Sequence, residues 1–125
     1  MRSIALISGI YDLSVGLTLF FFRGLLQTWF GVPAAVPPIH VDLNAVFVTA
    51  IGIGYYLPYR DPVRYRGYLW IMGPVLKGAG AAAFLLDYAL RGSPASFLLF
   101  AASDGTLALV TLIGLMRGTA TPGTR

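Results

Sequence analysis

Apolar residues gather into four long stretches, and each is close to the ~20 residues that an α-helix needs to cross a bilayer core. The stretches cover residues 3–22, 43–59, 67–90 and 94–116. Polar or helix-breaking residues separate them, among them a charged pair followed by a proline at 60–62. The pattern therefore predicts an all-α fold, namely an antiparallel up-down bundle of four transmembrane helices.

Composition leads to the same class of protein. Of the 125 residues, 57% are hydrophobic and only 11% are charged, whereas soluble domains are about 45–50% apolar and about 25% charged. A chain with so few polar side chains cannot cover a water-facing surface, so we expect an integral membrane protein. We assign residues 1–117 to a single four-helix transmembrane domain and residues 118–125, rich in Gly and Thr, to a flexible C-terminal tail.

The first connection, residues 23–41, is the only long one. It carries Leu25, Leu26, Trp29 and Phe30 ahead of a Gly/Pro-rich stop. This pattern is typical of a short amphipathic helix that lies in the membrane interface after the first transmembrane helix. The alternative is an ordinary hydrophobic loop folded over the mouth of the bundle.

The distribution of arginines predicts the orientation. Six lie at the N-terminus, in the second connection and at the C-terminus, and two lie in the first and third connections. Since positive residues concentrate on the cytoplasmic side, both termini are expected in the cytoplasm. The first set is Arg2, Arg60, Arg64, Arg66, Arg117 and Arg125, and the second is Arg23 and Arg91.

Several classes of function are disfavoured by what the sequence lacks. It has no cysteine and a single histidine, His40, so disulfides are excluded, and we expect no metal site and no cofactor. It carries no nucleotide-binding loop and no hydrolase or metalloprotease motif, so no catalytic residue is assigned. The net charge of +4 comes from residues in short gaps between apolar runs, which is a topology signal and not a nucleic-acid surface.

Three charged residues fall near the middle of predicted helices: Asp12, Lys77 and Asp104. A charge at the bilayer centre costs about 2.5–3.5 kcal/mol on insertion scales, so each requires a compensating partner. At 1.5 Å per residue, Asp12 and Lys77 lie at nearly the same depth and Asp104 lies a few ångströms deeper. We therefore predict an internal Asp12–Lys77–Asp104 cluster.

Small residues accompany each of these charges at helical spacing, which predicts that the charged faces point inward. On the second helix, Asn44 and Gly52 share a face, with Tyr55 nearby, so Asn44 and Tyr55 join the three charged residues as candidates for ligand binding or proton handling. Pro74 in the third helix predicts a kink beside Lys77. The three stripes are Gly9, Asp12 and Gly16; Gly73, Lys77, Gly80 and Phe84; and Ala101, Asp104, Ala108 and Thr111.

Two interpretations of the cluster stay open. It is either an ion-pair network that fixes the helix register, or a binding or proton-handling site, as intramembrane ionisable groups often are. The second connection has a similar ambiguity. Its Arg60, Arg64 and Arg66 are candidate contacts for lipid headgroups or a partner protein, or they are a plain positive-inside anchor.

The chain resembles small bacterial four-helix membrane proteins of the DoxX-like kind. The likeness rests on residues 9–16, on Trp-Phe-Gly-Val-Pro at 29–33, on Gly-Tyr-Tyr-Leu-Pro-Tyr-Arg at 54–60 and on Asp104. It implies a protein of the bacterial inner membrane, in a group where some members are accessory subunits of quinone-linked oxidoreductases. The membrane-embedded Glu of small multidrug transporters and the Phe-rich Ser/Thr motif of fluoride channels are missing.

These observations favour a non-enzymatic membrane module. It would bind a hydrophobic small molecule (a lipid, quinone or isoprenoid) near Asp12, Lys77 and Asp104, or serve as an accessory subunit of a membrane complex. The alternatives are a small proton-coupled transporter and a membrane enzyme acting on a lipid. The expected partners are the lipid bilayer, a hydrophobic ligand, and a membrane protein or a second copy of the chain, but not nucleic acid.

Overall fold

A computed structural model of the protein describes residues 1–120, with side chains described through residue 118. All regular secondary structure in this range is helical. The helices are α1 (Arg2–Phe21), α2 (Arg23–Phe30), α3 (Ile39–Gly54), α4 (Tyr56–Arg60), α5 (Arg66–Trp70), a π-helical segment (Ile71–Lys77), α6 (Gly78–Arg91) and α7 (Phe97–Ala120).

Four helical stretches are long and apolar enough to cross a membrane, which confirms the all-α prediction and the number of spans. We call them the first to fourth spans: Arg2–Phe21, Ile39–Arg60, Arg66–Arg91 and Phe97–Gly118. The second begins four residues before the predicted start because α3 takes in a polar first turn that includes Asp42, whose charge suits the positive end of a helix. Helix α7 runs to Ala120, past the predicted start of the tail, and residues 121–125 lie outside the described part of the chain.

The segment after the first span is helical, as one of the two interpretations of the first connection predicts. Helix α2 follows α1 after the single residue Phe22 and ends at Gly31, whose positive φ of 65° lets the chain turn in the left-handed region that glycine adopts most easily. None of its side chains is buried, and Trp29 is 73% exposed. Most apolar side chains of helix α2 are therefore exposed, whereas Leu26 is partly buried and lines a small pocket together with Leu19 of the first span.

The first and second spans pack closely because glycines face each other across them. A Cβ atom on Gly52 would lie 2.8 Å from the backbone nitrogen of Leu13 and 3.0 Å from the carbonyl oxygen of Gly9. A Cβ on Gly16 would lie 3.1 Å from the carbonyl oxygen of Ala45. Because these glycines have no side chain, the two backbones can approach as closely as membrane helices prefer. These two spans form one half of the molecule.

The third and fourth spans form the other half. Pro74 lies inside the π-helical segment, where a proline's missing N–H is accommodated by a changed hydrogen-bond pattern. In the same segment, a Cβ on Gly73 would lie 2.7 Å from Cγ2 of the buried Thr111 in α7. The π-helical segment therefore holds the third span against the fourth at the point where it reaches Lys77.

The two halves meet through a core cluster at one end of the molecule. Ala5, Tyr55, Leu69 and Leu115 pack together there, and each is no more than 1% exposed. Tyr68 of the third span adds a polar contact between the halves, donating from its hydroxyl group to the carbonyl oxygen of Ile51 at 2.5 Å. Ala5 and Leu69 lie near the start of their spans, and Tyr55 and Leu115 lie near the end of theirs. These buried contacts among all four spans close this end of the bundle.

The glycine packing generates a test of stability. We expect Gly52→Ala to lower the free energy of unfolding by about 1–3 kcal/mol, because the new methyl group would overlap the backbone of the first span. Gly67→Ala is the matched control, since Gly67 is also helical and has no atom within 4 Å of the added Cβ. Unfolding in detergent, followed by circular dichroism, measures both variants. Equal stability of the two variants would contradict close packing at Gly52.

Candidate functional site

The centre of the site is an ion pair between the first and third spans. Nζ of Lys77 donates a hydrogen bond to Oδ1 of Asp12 at 2.5 Å, and the two side chains are only 5% and 6% exposed. Lys77 is the last residue of the π-helical segment, and Asp12 lies at the middle of α1. A buried charge is strongly disfavoured without a partner. The pairing therefore lowers the cost of burying both charged groups inside the bundle.

Two tyrosine rings flank the ammonium group of Lys77. The Nζ atom lies 5.5 Å from the centroid of the Tyr11 ring and 5.8 Å from that of Tyr55. Both distances are within the range of a cation–π interaction. The faces of the two rings therefore supply further favourable electrostatics around a cation that is removed from water.

Asp104 lies beside this pair but is not equivalent to Asp12. It is only partly buried, and among the described residues it forms no ion pair within 4.0 Å. It is close enough to Lys77 and to the hydroxyl group of Tyr11 to interact electrostatically with both. The structure thus brings the three predicted residues together as a tight pair plus a third, separate carboxyl group.

A cavity of about 590 Å³ opens directly beside these groups. Its volume falls within the roughly 300–1,000 Å³ that is typical of ligand-binding pockets. Its polar lining residues are Tyr11, Asp12, Asn44, Lys77 and Asp104. The rest of its wall is apolar and comes from all four spans and from the segment after α2, including Val15, Leu19, Val32, Pro33, Val48, Ile51, Phe84, Phe97 and Phe100.

The wall of this cavity is closed on one side and open on the other. Between the first and fourth spans, the hydroxyl groups of Tyr11 and Ser103 are joined by a hydrogen bond of 2.6 Å. The second and third spans are joined near the core cluster, where the hydroxyl group of Tyr68 donates to the carbonyl oxygen of Ile51. Elsewhere, helix α3 makes at most isolated contacts with the third span within the described residues. Phe47 and Leu76, which line the cavity on these two spans, are well exposed. The cavity therefore opens sideways, towards the position that lipid would occupy.

The other two predicted site residues lie at different places. Asn44 is an exposed residue in the cavity wall near the start of α3. Tyr55 is fully buried below Lys77 and outside the cavity lining. The hydroxyl groups of Tyr55 and Ser8 are close enough to interact, but neither has a partner with regular hydrogen-bond geometry in residues 1–118. The ring of Tyr55 therefore flanks Lys77, but Tyr55 does not line the cavity.

The three arginines of the second connection differ in their surroundings. Arg66 is half-buried, and its bond to Leu115 ties the third span to the fourth. Arg60 is exposed and contacts the hydroxyl group of Tyr56 at 2.9 Å. Arg64 is also exposed, and its guanidinium group lies over the ring of Tyr65. Arg60 and Arg64 therefore have the exposure needed to reach lipid headgroups or a partner.

Two further ion pairs lie away from the cavity's charged groups. Arg91 and Asp87 form an i,i+4 pair at 3.2 Å on α6. Arg23, just after α1, pairs with Asp42 in the first turn of α3. The two residues lie 19 positions apart in the chain, so local sequence patterns do not reveal this pair.

Sequence reasoning missed several residues of the cavity wall. Tyr11 precedes Asp12 in the chain and therefore falls about 100° around the helix from it, off the stripe of small residues. Phe97 and Phe100 belong to a ring cluster with Phe84, at centroid distances of 5.6–6.4 Å. The i,i+3 spacing of Phe97 and Phe100 is the signal that would have indicated a shared face.

Comparison of the chain with protein-family models, with curated proteins and with solved structures found no match. In the described residues, no group of three or more His, Cys, Asp or Glu side chains is arranged to hold a metal ion. The chemistry of the site is thus that of one ammonium group, two carboxyl groups and a phenol beside an apolar cavity.

The buried ion pair generates a second test of stability. Lys77→Met and Asp12→Asn are each expected to lower the free energy of unfolding by about 3–5 kcal/mol, because each leaves the other charged group buried without its partner. The double variant is expected to recover part of that loss. A double-mutant cycle of unfolding in detergent measures the coupling.

The control for this cycle is Arg91→Met. Arg91 is 82% exposed, so breaking its pair with Asp87 is expected to change stability by less than about 1 kcal/mol. Additive effects of the two single variants at Asp12 and Lys77 would contradict a coupled buried pair.

Proposed function

We propose that the four spans form an antiparallel up-down bundle in the bacterial inner membrane, with both termini in the cytoplasm. The core cluster supports this arrangement, because it joins the starts of the first and third spans to the ends of the second and fourth. The excess of arginines at the same end supports the cytoplasmic assignment. Helix α2, with its exposed Trp29 and Phe30, would then lie in the opposite interface.

In this setting the protein functions as a non-enzymatic module that binds a hydrophobic small molecule. The observation that carries this proposal is the cavity, which is apolar over most of its wall and polar at one place. Ligand sites commonly combine an apolar pocket with a few convergent polar groups that orient the ligand. A lipid, a quinone or an isoprenoid has the matching form, a long apolar body with one polar end.

The sideways opening supports a route of entry from the bilayer. A ligand that enters between the second and third spans passes Phe47 and Leu76 and reaches Asp104 and Lys77 without crossing water. The closed end at Ala5, Tyr55, Leu69 and Leu115 offers no comparable path from the cytoplasm. This geometry favours a binding module over a proton-coupled transporter, which needs access from both sides of the membrane.

Two related roles fit the same site. The resemblance to DoxX-like proteins is in keeping with an accessory subunit that holds a ligand for a larger membrane complex, and the exposed Arg60 and Arg64 would be available to such a partner. A membrane enzyme acting on a lipid is the second candidate. The lateral opening beside the phenol of Tyr11 and the carboxyl group of Asp104 favours it, since these groups can transfer protons.

The cavity generates a test by mass spectrometry. The protein is extracted gently from its own membrane, and native mass spectrometry is expected to find a small molecule retained on the wild-type chain. Gly80→Leu is expected to abolish retention, because Gly80 lines the cavity and the added side chain projects into it beside Asp104. Ala82→Leu is the matched control, since Ala82 is an exposed residue two positions along the same helix.

A wild-type chain that carries no small molecule, or a Gly80→Leu variant that retains it at the wild-type level, would contradict binding in this cavity. A retained molecule that is chemically changed when turnover is followed over time would support the enzyme instead.

The orientation generates a test by thiol labelling, which the absence of native cysteines makes direct. Val36→Cys, between α2 and α3, is expected to react with a membrane-impermeant maleimide on intact spheroplasts. Val63→Cys, in the second connection, is expected to react only after the membrane is permeabilised. Both positions are well exposed, at 88% and 51%. The reverse pattern would place the termini outside.

A further inference from the structure

We propose that the ligand of this cavity is a lipophilic cation, an apolar molecule with a positively charged amine or onium group that binds beside Asp104. The inference rests on the proposed binding function and specifies the ligand's charge. Three features of the cavity support it: the imbalance of charges in the wall, an unpartnered carboxylate oxygen, and the aromatic lining.

The charges in the cavity wall do not balance. Among the residues that line the cavity, two carboxyl groups, Asp12 and Asp104, face one ammonium group, that of Lys77. The ammonium group is already engaged by Asp12 at 2.5 Å. Asp104 is left without an ion-pair partner among the described side chains. A bound cation supplies the positive counter-charge that Asp104 lacks. An anionic headgroup such as a phosphate would instead add negative charge to a wall that already has an excess of it.

The ion pair itself leaves an acceptor unused. Oδ2 of Asp12 is buried and has no hydrogen-bond partner among residues 1–118. A buried carboxylate oxygen without a partner is strongly unfavourable. A cation bound at the neighbouring Asp104 lowers this cost through its charge, without direct contact with the enclosed oxygen.

The apolar part of the wall is rich in aromatic rings. The rings of Phe84, Phe97 and Phe100 pack against one another, and Phe84 and Phe100 are stacked at 5.6 Å between centroids. Tyr11 also lines the cavity, and the ammonium group of Lys77 already lies over its ring. Ring faces attract cations most strongly where water is excluded. Aromatic rings next to an unpaired carboxyl group are a combination that favours a hydrophobic cation over a neutral molecule.

The experiment uses two probes of nearly the same size and shape but opposite charge, tetraphenylphosphonium and tetraphenylborate. Binding to the full chain in nanodiscs is measured by isothermal titration calorimetry, with empty nanodiscs as the blank for partition into lipid. We expect saturable binding of the phosphonium and no saturable binding of the borate. Gly80→Leu is expected to remove the phosphonium binding, which places it in the cavity.

Charge variants then locate the interaction. Asp104→Asn is expected to weaken phosphonium binding by at least about tenfold, the loss that follows removal of one charged contact. Asp104→Glu keeps the charge and is expected to bind within a few-fold of wild type. Asp87→Asn is the matched control, because Asp87 is a partly buried carboxyl group on the same bundle that does not line the cavity.

The outcomes separate this inference from the proposed function. Borate binding as tight as phosphonium binding, or phosphonium binding unaffected by Asp104→Asn, would overturn the cationic ligand and leave a hydrophobic-ligand module intact. A retained native molecule without a cationic group would do the same. Absence of binding by both probes, together with a wild-type chain that retains no molecule in native mass spectrometry, would overturn both. If Asp104→Asn does not fold, the difference between the two probes on the wild-type chain decides.

Discussion

The ion pair between Lys77 and Asp12 constrains how the four spans can be arranged. An ammonium group near the middle of a membrane span needs a counter-charge at the same depth, because hydrocarbon gives it no solvation. Its partner lies on α1, which packs on the second span, whereas Lys77 belongs to the span that packs on α7. The pair therefore joins the two halves of the molecule, and it fixes the rotation of the first and third spans relative to each other.

The cavity follows from how the two halves are joined. Small residues allow close packing within each half, as at Gly52 and Gly73. Between the halves, close packing is confined to the core cluster at one end, and the polar contacts at Lys77 and Tyr11 hold them together further along. Beyond these contacts the cavity wall carries the rings of Phe84, Phe97 and Phe100, and the third span contributes Gly80, which has no side chain to fill the space. The space between the halves is therefore enclosed only in part, which leaves an apolar cavity with its charged groups at one place.

The sequence was sufficient to predict the four long apolar helices, because they depend only on the length of apolar runs, and the rise of a helix placed Asp12 and Lys77 at a common level, where they pair. Gly9, Asp12 and Gly16 are all buried, as their helical spacing predicts. Side-chain pairing was harder to predict, since it depends on how each helix is rotated about its axis. That rotation makes Asp12 the close partner of Lys77, leaves Asp104 apart and brings Tyr11 to the site. The π-helical segment also changes the register of the third span just before Lys77, and hydrophobic periodicity does not reveal such a change.

The arrangement of these polar groups bears on whether the cluster is structural or functional. A network that only fixes helix register is most stable when every buried donor and acceptor is satisfied, because a half-satisfied network is worse than an apolar core. Here one carboxylate oxygen of Asp12 lacks a hydrogen-bond partner within the described residues, and Asp104 adds a second carboxyl group with no ion pair. Both residues line the same cavity, where a bound molecule can supply the counter-charge that Asp104 lacks. An incomplete network placed at a cavity is what a binding site requires, so the imbalance favours the functional interpretation over the structural one.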